Sequence, residues 1–264
     1  MTATPVGMRC PECARQRTKV RTLRTMAAEP TVTYVLIALN VIVFLAELAS
    51  GGRGSSLFDA LATLGINLDR QTGQPIGVAQ GEWWRLVTGG FLHDPTNPLH
   101  IGFNMYILWW LGRMIEPALG HVRFAALYLA SLLAGSFGAI LIAPTQETVG
   151  ASGAVFGLLG AAFLMQRRRG IDPMQSGIGV VIVLNLVLQF VIPHVSWGAH
   201  VGGLIGGGIA GWAMDHLGAR TRSVVAPLGV CAAVGALAVV GAIAVSDAKA
   251  HSVGIALISL LGLG

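Results

Sequence analysis

Residues 149–169 read VGASGAVFGLLGAAFLMQRRR. The apolar run at about 149–166 is close to the length that crosses a bilayer, and it ends on Arg167, Arg168 and Arg169. Basic residues collect on the cytoplasmic side of membrane helices, so the run has a direction, with the arginines inside and Ser152 near the outer end. A polar residue in an apolar span is expensive and needs a reason, so Ser152 is a functional candidate. Gly153, Gly157 and Gly160 share one face of the same run, which lets a second backbone come close.

Six further apolar runs lie at about 31–49, 98–116, 122–143, 177–193, 197–216 and 224–246. The segment 50–97 holds only short apolar pieces, and the apolar tail 250–264 is too short to span. Of the 264 residues 54% are hydrophobic and 11% charged, where a soluble domain averages about a quarter charged. The composition therefore predicts an all-α polytopic membrane protein, and the 36 glycines fit close helix packing. With the N-terminus inside, thirteen Lys and Arg fall on inner segments and four on outer ones, which predicts a cytoplasmic N-terminus and seven spans. The net charge of +5 follows from this bias. No basic patch interleaved with aromatics points to nucleic acid. The first apolar run follows about thirty polar residues and no cleavage site follows it, so it reads as a retained anchor.

Four polar residues sit near the outer ends of three spans that run in the same direction. They are His100 and Asn104 in HIGFN, Ser152 in GASGAVFG, and His200 in AHVGG. The orientation argument used none of them, so their shared depth is informative. His100 and Asn104 are four residues apart on one helix face. His200, Gly203, Gly207 and Gly211 also share a face, so spans four and six can pack backbone to backbone. A serine hydroxyl needs a base to take its proton, and a neutral imidazole suits that task. A developing oxyanion needs donors, which His100, Asn104 and the Ser152 N–H at a helix N-terminus could supply.

Taken together, Gly150-Ala151-Ser152-Gly153, His100-x-x-x-Asn104 and Ala199-His200-x-x-Gly203-x-x-x-Gly207, with the loop stretch Glu82-Trp83-Trp84-Arg85, resemble the rhomboid proteases over roughly residues 30–216. The resemblance implies a rhomboid-like six-helix bundle (31–216) after a cytoplasmic basic tail (1–30). One extra C-terminal transmembrane helix and a tail (217–264) follow, the six-plus-one arrangement. It implies a Ser–His dyad in a water-filled cavity open to the outside, with Ser152 as nucleophile and His200 as general base. His100 and Asn104 would stabilise the oxyanion, and Gly150 and Gly153 would shape that loop. Span five and the loop after it would form a lateral gate and cap. Expected partners are single-span membrane substrates, cut near their outer ends, and the bilayer of the cell membrane. No cofactor is implied.

The remaining polar residues read as structural. His93, His121, His194, His216 and His251 are expected to satisfy carbonyls or face water, Asn185 and Gln189 to bond within or between helices, and Arg85 and Glu116 to brace the first loop and second span. Trp83 and Trp84 suit an interface, and Trp109 and Trp110 suit lipid or packing. Cys10 and Cys13 form one CxxC pair, too few ligands for a tetrahedral zinc site. The stretch around them resembles the end of a zinc-ribbon-like module found before some bacterial rhomboid cores, with its first half missing. Cys231 reads as a packing residue. One rival reading is a catalytically inactive rhomboid-like membrane-protein binding factor, which normally lacks Ser or His. A transporter would show intramembrane carboxylates or inverted repeats, and a zinc protease an HExxH motif. The sequence has neither.

Overall fold

The computed structural model describes residues 2–4, 7–9, 29–69, 72–188, 195–221 and 225–260. Its α-helices in chain order are α1 (Thr31–Ala49), α2 (Ser56–Leu61), α3 (Arg85–Thr88), α4 (Pro98–Leu119), α5 (His121–Ile142), α6 (Ser152–Arg168), α7 (Ile178–Leu188), α8 (Trp197–Thr221) and α9 (Val225–Leu260). Two small antiparallel hairpins pair β1 (Thr2–Thr4) with β2 (Gly7–Arg9) and β3 (Asn67–Leu68) with β4 (Pro75–Ile76). Cys10, Cys13, Gln189 and His194 lie outside the described residues.

Within the described residues every expected span coincides with a helix (189–193 of the fifth lie outside them), but boundaries move for local reasons. Pro98 opens α4, where its missing N–H is not needed and its fixed φ suits the first turn. Gly120, at φ +82°, separates α4 from α5. Helix α6 starts at Ser152, not at 149, because Gly150 is left-handed at φ +124° and Thr148 bridges to Thr63. Helix α9 runs to Leu260 and takes in most of the tail 250–264. The stretch 248–260 contains no proline and only Gly254 to weaken it.

By length and composition, three helices among the described residues can cross a membrane: Thr31–Ala49, His121–Ile142 and the Val225–Ser252 part of α9. Among the other expected spans, α6 has 17 residues, α4 carries Arg113 and Glu116, and α8 is rich in glycine and carries Asp215. Each of these three trades apolar surface for close packing or polar contacts.

The segment between α1 and α4 is more ordered than its sequence suggests. Besides α2, β3–β4 and α3 it forms a 3₁₀ turn at Val78–Gln80. Arg85, only 2% exposed, holds it together. Its Nη1 donates to the carbonyls of Asp59 and Ala62, and its Nε pairs with Glu82 Oε2 at 2.7 Å. Glu116 braces the other side. Pro30 gives α1 no side-chain cap, and the buried Glu116 carboxylate accepts instead from the N–H groups of Val32 and Thr33, each at 2.8 Å, and from Thr33 Oγ1 at 2.6 Å. The expected bracing roles of Arg85 and Glu116 are thus met.

Helices α5, α6 and α8 form the centre, with α9 against α5 and α8, α1 against α4, and α7 against α6. The two seams of α8 are glycine seams. A side chain at Gly203 would collide with the Gly153 carbonyl, one at Gly207 with Gly157 Cα, and one at Gly211 with Ala161. Facing α5, Gly198 meets Gly138, and Gly202 lies 3.0 Å (from an ideal Cβ) from Gly138 Cα. We expect Gly207→Leu to lower stability by at least about 1–3 kcal/mol, the usual cost of overpacking. Gly229→Ala, with nothing within 4 Å, should be neutral or stabilise by roughly 0.5–1 kcal/mol. Detergent unfolding midpoints measure both, and equal midpoints for Gly207→Leu and wild type would contradict the close α6–α8 approach.

Candidate active site

Ser152 is the first residue of α6, and its helix has no side-chain cap. The N–H groups of that first turn have no partner within the helix and point at the space before it. One turn on, Phe156 lies on the same face as Ser152. Its ring stacks on the His200 imidazole, with centroids 4.1 Å apart and planes at 12°. His200 lies in the first turn of α8 and is 7% exposed. Just below it, Gly203 meets the Gly153 carbonyl, and Gly153 itself sits between Gly135 and the Ala199 carbonyl. The glycine seam and the ring stack together bring His200 to the face of α6 that carries Ser152. No hydrogen bond joins Ser152 Oγ to His200 here, and His200 Nδ1 is buried without a partner.

The start of α4 arrives from the other side. A carbon added at Gly150 would lie 2.8 Å from His100 Nε2 and 3.7 Å from Ser152 Oγ, so both groups border one small space. His100 Nδ1 accepts from the Asp94 N–H at 3.4 Å. A neutral His100 therefore carries its proton on Nε2, the nitrogen that faces this space. Asn104, 7% exposed, donates one amide proton to the His100 carbonyl at 3.0 Å and keeps a second. The Gly150 N–H is committed to the Gly89 carbonyl at 3.0 Å, so Gly150 shapes the loop and does not donate to the space. Among the described residues, no group of three or more His, Cys, Asp or Glu side chains is arranged to hold a metal.

Two neighbours were not legible as part of this site. Phe156 carries a weak signal, its four-residue spacing from Ser152. His93 carries none, because it lies in an irregular loop. It was expected to satisfy a carbonyl, yet it is fully buried and neither ring nitrogen has a partner. Its ring meets His100 edge-on, with centroids 5.0 Å apart, and its backbone N–H donates to Glu47 Oε2 at 3.1 Å. That bond pins the loop to α1. His121 is exposed to water, and it also bonds the Glu116 carboxylate at 2.6 Å.

Burial first, and then the neighbouring His100, push the His93 imidazole down from 6.5 to about 3. An unfolded chain takes up a proton below 6.5, whereas the folded one does not until about 3. The contribution of His93 is therefore present above 6.5 and lost as pH falls toward 3. Between pH 7 and 5 we expect wild type to lose about 2 kcal/mol more than His93→Leu. Parallel pH profiles of unfolding for the two would contradict this. Gly150→Ala should keep the fold but disturb the site, since its left-handed backbone resists a side chain by roughly 1–3 kcal/mol and the new methyl would meet His100. An unchanged site reactivity would count against this geometry.

Comparison with known proteins gives a consistent family. The Rhomboid domain model matches residues 80–216. The chain is 35% identical over 189 residues to the rhomboid protease GluP of Bacillus subtilis (strain 168), covering 70% of this chain and 35% of GluP. It is 33% identical over 184 residues to the rhomboid protein YdcA of the same organism, covering 67% of this chain and 85% of YdcA. It is also 37% identical over 144 residues to RHOMBOID-like protein 5 of Arabidopsis thaliana, covering 52% of this chain and 46% of that protein. The chain thus spans about a third of GluP and most of YdcA. Its apolar helices and this kinship make it an integral membrane protein, and the chain belongs to the rhomboid family.

Proposed function

We propose that this protein is an intramembrane serine endopeptidase that cleaves single-span membrane proteins with a Ser152–His200 dyad. The reading rests on one observation above others: the Phe156–His200 stack holds the imidazole over the helix face that begins with Ser152. The shared space of Ser152 Oγ and His100 Nε2 beside Gly150 supports it.

In this reading Ser152 Oγ attacks the scissile carbonyl carbon as His200 takes the hydroxyl proton. The oxyanion lies toward the Nε2–H of His100, the free amide proton of Asn104 and the Ser152 N–H. Collapse breaks the C–N bond, and His200 returns its proton to the leaving amine. A water then attacks the acyl-serine with His200 again as base, releasing the acid and restoring the serine. The stacked Phe156 ring keeps the imidazole in one plane through both halves.

The topology that goes with this mechanism is six helices plus α9, with residues 1–30 on the cytoplasmic side of the cell membrane and the ends bearing Ser152 and His200 toward the outside. Residues 31–216 form the protease core and 217–264 the added helix and tail. Helix α7 exposes Val180, Val183, Leu184 and Val187 and packs on α6, which suits a side of the bundle where a substrate helix enters. The second reading, an inactive rhomboid-like binding factor, is favoured only by the missing Ser152–His200 hydrogen bond. Such bonds often tighten only once substrate is bound.

A fluorescent fluorophosphonate on purified protein in detergent separates the two readings. Wild type should label, and Ser152→Ala and His200→Ala should not, with folding intact in both. Asn104→Ala should label or cleave roughly 10²–10³ times more slowly, the effect of one oxyanion donor. A folded wild type that does not label would favour the inactive reading.

A further inference from the structure

Helix α9 lies outside the matched domain, which ends at residue 216, yet it reaches toward the site. Gly235 lies against Leu133 and Gly241 against the Phe137 ring, at 3.1 and 2.8 Å from ideal Cβ positions, so α9 seats closely on α5. At that level Ala242, fully buried, joins Val78, Leu86 and Ile140 in one small core, with Val239 and Val245 packed beside it. Val78 belongs to the 3₁₀ turn of the segment between α1 and α4, and Leu86 to α3.

From this core a short chain of contacts runs to Ser152. The 3₁₀ turn is tied to α3 through Glu82, whose Oε2 accepts from the Gly77 N–H at 2.6 Å and from Arg85 Nε at 2.7 Å. The Leu86 carbonyl accepts from Ser136 Oγ of α5 at 2.7 Å, in a buried bond. Three residues on, the Gly89 carbonyl takes the Gly150 N–H. Gly89 is itself pressed onto Thr63, so this carbonyl has little room to move. Gly150 is the left-handed residue whose geometry sets where α6, and with it Ser152, begins.

We propose that α9 is a positioning element of the Ser152 site. Its Val239–Ala242–Val245 face holds the 3₁₀ turn and α3 against α5, and so fixes the Gly89 carbonyl that anchors Gly150. The effect on reactivity rests on the serine-protease reading above, but the link from α9 to Gly150 does not.

The test is Ala242→Leu in the full chain, with two readouts. The first is the rate of fluorophosphonate labelling per folded molecule. A misplacement of the site should slow it between about tenfold and a hundredfold, and Val78→Ala, which makes room for the added side chain, should restore it to within about twofold. Leu237→Ala, where the side chain is 72% exposed, should label like wild type. The second is hydrogen exchange at the Gly150 amide, which should speed up in Ala242→Leu and recover in the double variant. Unchanged Gly150 exchange in a folded Ala242→Leu variant would overturn the proposal, as would a loss of labelling that only tracks a loss of folded protein. A wild type that fails to label, with Gly150 exchange still responding to Ala242→Leu, would sink the protease reading and leave the role of α9 standing.

Discussion

Glycine at residue 203 brings α8 onto the Gly153 carbonyl, and glycine at 207 brings it onto the Cα of Gly157. In lipid there is no hydrophobic gain from pressing one apolar helix on another, so association relies on close van der Waals contact, which small residues permit. This seam sets the depth and rotation of α8 against α6. His200, three residues before Gly203, then has one place to go, over Phe156 and beside the start of α6. A methyl group at either glycine would separate the helices and the two side chains together. The second seam, Gly198 and Gly202 against Gly138, locks α8 onto α5 and leaves it little freedom to rotate.

The segment between α1 and α4 converts this rigid centre into a candidate site. Arg85 and Glu116 are buried charges: Arg85 donates from Nε and Nη1 to a carboxylate and two carbonyls, and both Glu116 oxygens carry two partners each. Buried ions of this kind are tolerated only when so satisfied. Arg85 gathers α2, Glu82 and α3 into one unit, and Glu116 ties the start of α1 to the end of α4. The loop before α4 is pinned by Glu47 through the His93 N–H, and the Asp94 N–H sets the protonation of His100. A backbone N–H in that loop thereby leaves Nε2, beside Gly150, as the protonated nitrogen of a neutral His100.

Much of this was legible in the sequence. The glycine spacings at 153, 157, 160 and at 203, 207, 211 predicted the α6–α8 seam, because helical periodicity is a local property. His100, Asn104, Ser152 and His200 stood out as polar residues at one end of apolar runs. What stayed hidden is non-periodic. The 3₁₀ turn at Val78–Gln80 and the burial of His93 arise from contacts across the fold, where local spacing carries no information. The start of α6 was misplaced by three residues because Gly150 adopts a left-handed backbone that an apolar run does not reveal. The length of α9 was underestimated for the opposite reason, since helix propensity carried it past the expected end of its span.

The most direct test of the central claim is an experimental structure of the protein after reaction with diisopropyl fluorophosphonate. The account predicts phosphorus bonded to Ser152 Oγ, its oxygen turned toward His100 Nε2 and the Asn104 amide, and the His200 ring still stacked on Phe156. An adduct on another residue, or one on Ser152 with its oxygen turned away from both donors, would contradict it.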